Sequence, residues 1–437
     1  MVGSDTRHDG GGGTRDAAWA WFDEARLGMF VHWDHASQQG LETSWPLVGG
    51  VFALPAAQPV SVEQYHSSAE TFDPRAWDAK ALARTAREAG MGYAVLTTKH
   101  HSGYALWPTQ LSDWSIARSP YDGDLVGEFV EAMRSEGLRV GLYFSLSDWH
   151  HPDYPAFTEA HKPYLFGSSP PMPDAETWAR YLEYLRGQIT ELLTNYGRID
   201  LLWFDGGWER QNWEAAELEA HIRRLQPDII LNDRLPGFGD YTTPEQFVPA
   251  QAPAGRWETC LTMNRSWGWN PGDTTYKSSR SLIHTLCEVA GKGGNLLLNV
   301  SPKGDGSLPE EQMARLKAIS GWMAANGDSI TGTTAGLEAA QFYGPSTVKA
   351  RTTYLHLLMR PYDTFDVRDV YIRRVRSVRE LASGRELSFR THTGIIGSVL
   401  PDPLGTLTVS VPEELLDNDA TVVAVEFHDV APPREAG

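Results

Sequence analysis

Asp205 closes the stretch IDLLWFD, apolar except at Asp200, and Gly206-Gly207 follow it at once. A run of this kind bounded by glycines reads as a strand buried on both faces. Charge is costly inside such a strand, so Asp205 belongs at its C-terminal end, facing a cleft. Two more carboxylates follow: Glu245 in DYTTPEQFVP and Glu258 in RWETC. Around them the chain offers three imidazoles (His32, His100, His101), two indoles (Trp45, Trp203) and the guanidinium of Arg234. Two carboxylates with such neighbours suit cleavage of a glycosidic bond. One attacks or assists at the anomeric carbon; the other protonates the leaving oxygen and then activates water. Aromatic faces beside polar groups also match a sugar ring, which has C–H faces to stack and hydroxyls to hydrogen-bond.

Plainer roles compete. His32 fits a satisfied core histidine, Arg234 a partner of Asp233 or Asp240, and Lys99 an ion pair beneath the site. A metal reading is weaker. Adjacent His100 and His101 would point to opposite sides of a strand, and the chain holds neither H-x-H nor H-E-x-x-H. No metal and no cofactor are expected.

The elements that must position these groups alternate. Strand-like runs are Leu27–Trp33, Tyr93–Thr98, Arg139–Ser145, the run ending at Asp205, Ile229–Asn232, Trp257–Met263 and Asn295–Val300. Helical spacing fills the gaps over Ala17–Arg26, Ala76–Ala89, Leu125–Ser135, Glu176–Asn195, Trp213–Leu225, Ser281–Ala290 and Glu310–Ala325. Each strand delivers polar residues at its C-terminal end, the pattern of a parallel βαβ series. The absence of G-x-G-x-x-G after the first strand weighs against a dinucleotide fold. The expectation is α/β: an irregular (β/α)8 barrel, residues 16–335, with one of its eight strands missing or irregular. Residues 336–437 read differently. Val348–Met359, Val370–Val375, Gly394–Leu400, Leu407–Val411 and Ala420–Phe427 are short β-type runs, expected as an antiparallel β-sandwich in a supporting role.

The totals agree. A chain of 437 residues with 41% hydrophobic content supports a large core in two or three domains. A formal net charge of −18 gives no electrostatic case for nucleic acid or an anionic membrane. Two cysteines, Cys260 and Cys287, form no metal-spaced set and allow at most one bridge. Residues 1–15 are polar and glycine-rich and are expected to be disordered. They lack the apolar core of a secretory leader, and no run approaches the roughly 18 apolar residues of a membrane span, so a cytoplasmic location is expected.

The segments LGMFVHW, YAVLTTKHHSGYALWP, GLYFSLSDWH, LLWFDGG, NDR, WETCLTMNRSWGWN and GGNLLLNVSPKGDG, in that order between Trp21 and Gly332, resemble glycoside hydrolase family 29, the α-L-fucosidases. The resemblance implies the same barrel-plus-sandwich fold and retaining, metal-independent exo-hydrolysis of α-L-fucosides. Its partner would be a fucosylated oligosaccharide or glycoconjugate; a homo-oligomer is compatible with it. Asp205 takes the place of the family nucleophile. His32, Trp45, His100, His101, Trp203 and Arg234 match fucose contacts. For the acid/base, Glu245 resembles the family's T-P-E segment and is favoured, with Glu258 as runner-up. Three positions depart from the pattern. Ser44 precedes Trp45 where glutamate is common, Asp34 follows His32-Trp33 where glycine is common, and Ser102-Gly103 replaces Asp-Gly. The departures bear on the leaving-group side. Two other functions compete: a catalytically silent fucose-binding protein, and a metal-dependent hydrolase using His100 and His101.

Overall fold

The structure, a computed structural model, describes residues 12–49, 60–155, 158–162, 172–207 and 212–429, with side chains from Ala17 onward. Most of the segment expected to be disordered, residues 1–11, lies outside these. The first helix, α1 (Gly12–Ala25), starts five residues before the expected Ala17.

Seven parallel strands follow: β1 (Leu27–Val31), β2 (Tyr93–Lys99), β3 (Arg139–Ser145), β4 (Leu201–Asp205), β5 (Ile230–Leu231), β6 (Glu258–Thr262) and β7 (Asn295–Val300). Between them run α2 (Val62–Ser67), α3 (Ala79–Glu88), α4 (Leu125–Ser135), α5 (Ala175–Asn195), α6 (Ala215–Leu225) and α7 (Ser279–Gly291); α8 (Glu310–Asn326) comes last. Side chains of Asp78, Asp124, Asp174 and Ser278 cap the N-termini of α3, α4, α5 and α7. The strand order is β5-β4-β3-β2-β1-β7-β6, a curled sheet open between β5 and β6.

The period-2 pattern of a strand divides this sheet into two cores. Leu202 and Phe204 join the large cluster between sheet and helices. Leu201 and Trp203 join a smaller inner cluster with Phe30, Tyr93, Tyr143, Ile230, Tyr241, Cys260 and Leu297. Trp19 and Phe22 of α1 also belong to that inner cluster. Asp205 is in phase with Leu201 and Trp203, so it faces inward.

The opening between β5 and β6 is occupied by an irregular segment. Asp240 N–H donates to Leu231 O (2.8 Å), and Thr242 N–H to Arg256 O (3.1 Å). Glu258 N–H donates to Thr242 O (2.9 Å), Cys260 N–H to Pro244 O (3.1 Å) and Gln246 N–H to Cys260 O (2.9 Å). Pro244 has no N–H to give and Gln246 sits at φ 61°, which keeps the segment from forming a regular strand.

The rest of the chain is antiparallel: β8 (Thr334–Ala335), β9 (Ser346–Lys349), β10 (Thr352–Leu357), β11 (Thr364–Tyr371), β12 (Val375–Glu380), β13 (Phe389–His392), β14 (Leu404–Ser410) and β15 (Thr421–Phe427). One sheet runs β12-β15-β10-β9-β8 and the other β11-β14-β13. They share a buried cluster that includes Leu355, Val423 and Val425 from the first sheet and Phe365, Val367, Leu407 and Val409 from the second. Val422 and Ala424, of opposite phase on β15, pack into the helix-side core of the parallel sheet instead.

Three expected runs are corrected. Val370–Val375 is not one strand: residues 372–374 turn the chain from β11 into β12, with Arg374 N–H donating to Tyr371 O at 3.0 Å. Val348–Met359 is not one strand: Ala350 adopts φ 52° and turns the chain between β9 and β10. Gly394–Leu400 is not a strand but contains the short helix α9 (Ile395–Ser398). It spans the connection from β13 to its partner β14, and Ile395, Ile396 and Val399 are exposed, so no sheet face recruits it. Cys260 and Cys287 are both buried and free.

His356 on β10 is fully buried, and burial pushes its pKa down to about 3. The unfolded chain therefore takes up a proton at this residue below about pH 6.5, while the folded chain does not until near pH 3. Stability is lost as pH falls through this window, by up to about 1.4 kcal/mol per pH unit. Denaturant titrations between pH 6 and 4 should show a shallower decline for His356→Gln than for the parent chain.

Candidate active site

Every candidate catalytic or sugar-contact residue lies at the C-terminal end of the parallel sheet or in its inner core. Asp205, the last residue of β4, is 8% exposed. Gly206 follows at φ 76°, and a Cβ there would lie 2.9 Å from Ser145 Oγ and 3.0 Å from His101 Nδ1. Only glycine both accepts this backbone and leaves that room. Asp205 Oδ2 accepts from Tyr143 Oη at 3.0 Å, and Oδ1 accepts from Arg234 Nη1 at 3.1 Å. His101 Nε2 stands 3.7 Å from Oδ2.

Arg234, three residues beyond β5, joins two carboxylates. Its Nη2 donates to Glu245 Oε2 at 2.7 Å while Nη1 holds Asp205. Its guanidinium lies 4.5 Å over the Trp203 ring, and Nε donates to Thr243 Oγ1 at 3.1 Å. Burial alone would lower its pKa; Asp205 and Glu245 outweigh that and hold it above the ordinary value. A permanent cation between two carboxylates offsets part of their mutual repulsion. Arg234 does not pair with Asp240, which Arg223 holds at 2.7 Å. The Glu245 side chain is 38% exposed.

Glu258 is placed differently. It opens β6, in phase with Cys260, and is fully buried. It accepts from Trp203 Nε1 at 3.0 Å, from Tyr241 Oη at 3.4 Å and from Tyr93 Oη. Burial pushes its carboxyl up to about 7, against the pull of these donors.

The three histidines sit on one wall. Burial lowers all their pKa values, to about 4 for His32 and well below the usual range for His100 and His101, so each is neutral at pH 7. Hydrogen bonds assign the tautomers of His32 and His101. Asn299 Nδ2 donates to Trp267 O, which turns Oδ1 toward His32 Nδ1 at 2.7 Å. His32 therefore carries its proton on Nδ1, and Nε2 is an acceptor. Ser145 Oγ donates to Ser147 O and so accepts from His101 Nδ1 at 2.7 Å, making His101 Nε2 an acceptor as well. Ser44 Oγ accepts from Ser102 N–H at 2.7 Å and meets His100 Nδ1 at 2.6 Å. Acceptor nitrogens such as those of His32 and His101 suit a polyhydroxylated ligand.

The histidine pair reaches the wall through a register shift between Thr97 and Lys99 on β2. The shift sends Lys99 outward, where Nζ meets Gln188 Oε1 at 2.9 Å and Asp148 Oδ2 at 3.6 Å. Lys99 is thus the expected ion-paired residue beneath the site. Trp45 is half-buried, its ring 5.4 Å from that of His101 and 5.9 Å from that of Trp149.

The three departures from the family pattern have local roles. Ser44 is the partner of His100. Asp34 caps the turn His35–Gln39 by accepting from Ala36 N–H at 2.8 Å. Ser102 donates its N–H to Ser44 Oγ at 2.7 Å and its hydroxyl to Asp34 Oδ2 at 3.5 Å, so the three departing residues meet one another. Sequence reasoning missed Tyr143, Asn299 and Ser145. The signal was there: Tyr143 and Ser145 share a phase on β3, and Asn299 is a polar residue in an otherwise apolar run. Trp267 is half-buried, its ring 4.8 Å from that of His32. Among the described residues no group of three or more His, Cys, Asp or Glu is arranged to hold a metal.

Comparison with known proteins places this arrangement. The family model described as Alpha-L-fucosidase matches residues 13–328. Tissue alpha-L-fucosidase of Mus musculus is 32% identical over 338 residues, covering 71% of each chain. The structure of alpha-L-fucosidase isoenzyme 1 from Paenibacillus thiaminolyticus aligns at TM-score 0.82 and 36% identity. It covers 95% of this chain and 100% of that one. The Thermotoga maritima alpha-fucosidase, solved with a mechanism-based inhibitor, aligns at TM-score 0.74 and 28% identity, covering 93% and 96%. The matched span contains the whole parallel sheet and every site residue named above: the chain belongs to the α-L-fucosidase family and is a glycoside hydrolase.

Proposed function

We propose that the chain is a retaining exo-α-L-fucosidase that removes terminal fucose from oligosaccharides or glycoconjugates by double displacement. The observation that carries this reading is the single guanidinium between two carboxylates. Arg234 holds Asp205 at 3.1 Å and Glu245 at 2.7 Å. Their separation is therefore set by the width of one guanidinium and two hydrogen bonds, in keeping with the close pairing that a retaining enzyme needs. In this reading Asp205 attacks the anomeric carbon and forms a fucosyl ester. Glu245, protonated, gives its proton to the leaving oxygen. It then takes a proton from water, which attacks the same carbon and releases Asp205. Protonation weakens the Glu245 contact to Arg234 and lets the carboxyl turn toward the glycosidic oxygen.

Glu245 is preferred over Glu258 as the acid/base because it is partly open to solvent beside Asp205. Glu258 is sealed under Trp203 and hydrogen-bonded three ways. Trp203, His32, His100, His101 and Trp45 would surround the fucose, the neutral imidazoles serving its hydroxyls. The paired carboxylates favour turnover over silent binding. The hydrogen bonds that bridge Asp240–Gln246 to β5 and β6 also support a closed (β/α)8 barrel whose eighth strand is irregular. The shared core of the two antiparallel sheets supports a β-sandwich behind it.

An aryl α-L-fucoside should be hydrolysed with α-fucose as the first-formed sugar by proton NMR; β-fucose would remove the retaining mechanism. Asp205→Ala should lose roughly a thousandfold or more in kcat, and full activity in that variant would end the assignment. Azide should restore turnover to Glu245→Gly with release of a fucosyl azide; rescue of Glu258→Gly instead would reverse the acid/base choice. Arg234→Lys keeps the charge but not the two-pronged contact, so kcat/KM should fall about ten- to hundredfold.

A further inference from the structure

Glu258 is a carboxylate of the inner core that the reaction leaves unused. All three of its donors are uncharged: the Trp203 indole and the Tyr93 and Tyr241 hydroxyls. Burying a carboxylate without a cation against it is costly, and an apolar residue of like size would pack there more cheaply. What the carboxylate supplies is orientation. It fixes one edge of the Trp203 indole, which sits on β4 two residues before Asp205. The face of that indole carries the next layer. Tyr143 stacks on it, with centroids 5.6 Å apart and planes 19° apart. Arg234 lies over it at 4.5 Å. Tyr143 and Arg234 are the two side chains that donate to Asp205.

We propose that Glu258 is a positioning residue: by holding the Trp203 indole it sets Tyr143 and Arg234, and through them the carboxylate of Asp205. It touches neither the sugar nor the bond that breaks. Its kinetic consequence rests on the fucosidase reading above, but its structural consequence does not.

Glu258→Gln keeps the size of the side chain, removes the charge and turns an amide N–H toward donors. With unchanged far-ultraviolet circular dichroism, its kcat/KM should fall ten- to hundredfold. The loss should be the same for aryl fucosides with good and poor leaving groups, and azide should not relieve it. In a Trp203→Phe background the same change should cost less than threefold. With 15N-labelled tryptophan, the Trp203 indole N–H resonance, assigned by its loss in Trp203→Phe, should move in Glu258→Gln. Undiminished kcat/KM, a loss confined to poor leaving groups, additive effects in the double variant, or an unmoved resonance would each overturn the proposal. Tyr241→Phe, which leaves the carboxylate and deletes one donor to it, covers the case in which Glu258→Gln does not fold. Its indole resonance should shift with a two- to fivefold loss in kcat/KM, and an unmoved resonance there overturns the proposal too. If the parent chain leaves aryl fucosides intact, the fucosidase reading falls, and the resonance still decides the role of Glu258.

Discussion

Two carboxylates and one guanidinium, half withdrawn from water at the mouth of a sheet, are the constraint around which the site is arranged. Neither Asp205 nor Glu245 would be stable so close to the other without Arg234 between them. Arg234 is in turn held by the Trp203 face beneath it and by Thr243 beside it. Arginine suits this place because its fork serves two acceptors at once and its plane lies flat on an indole. The neighbouring imidazoles complete the balance by staying neutral. A second cation at His101, 3.7 Å from Asp205, would compete with Arg234 for the same oxygen pair.

The architecture delivers these groups by parity. Residues 201, 203 and 205 point inward while 202 and 204 face the helices, so the strand that builds the core also presents the nucleophilic candidate. The same rule aligns Phe30 with His32, Tyr143 with Ser145, and Leu297 with Asn299. Beneath this layer α1 fills the inner end of the sheet with Trp19 and Phe22.

Much of this was legible in the sequence because it depends on local periodicity. All seven parallel strands and the polar residue at the end of each follow from apolar runs alternating with helical spacing. The position of Asp205 follows from the cost of burying charge. Other features were not legible because they depend on what lies across the sheet. The register shift at Thr97/Lys99 shows only in the pairing of β2 with β3. Tyr143 looked like any strand aromatic until Asp205 stood opposite. The T-P-E setting already favours Glu245 over Glu258, but the sealing of Glu258 beneath three donors from three different segments shows only in the fold. Ile395, Ile396 and Val399 carry strand propensity but have no partner face to use it.

The seam between β5 and β6 has a bearing on how such a molecule can change. Elsewhere a one-residue insertion in a strand would turn every inward group outward. Between Asp240 and Gln246 the backbone meets its neighbours through isolated hydrogen bonds rather than a continuous ladder, and Gln246 sits at φ 61°. A segment like this tolerates lengthening, shortening and re-aiming of its side chains. Glu245 sits on that segment, and Asp205 on a strand flanked by ladders through Leu202. The two carboxylates are thus under unequal evolutionary freedom. One is fixed by the scaffold, and the other stands on ground that can shift without disturbing the parallel sheet.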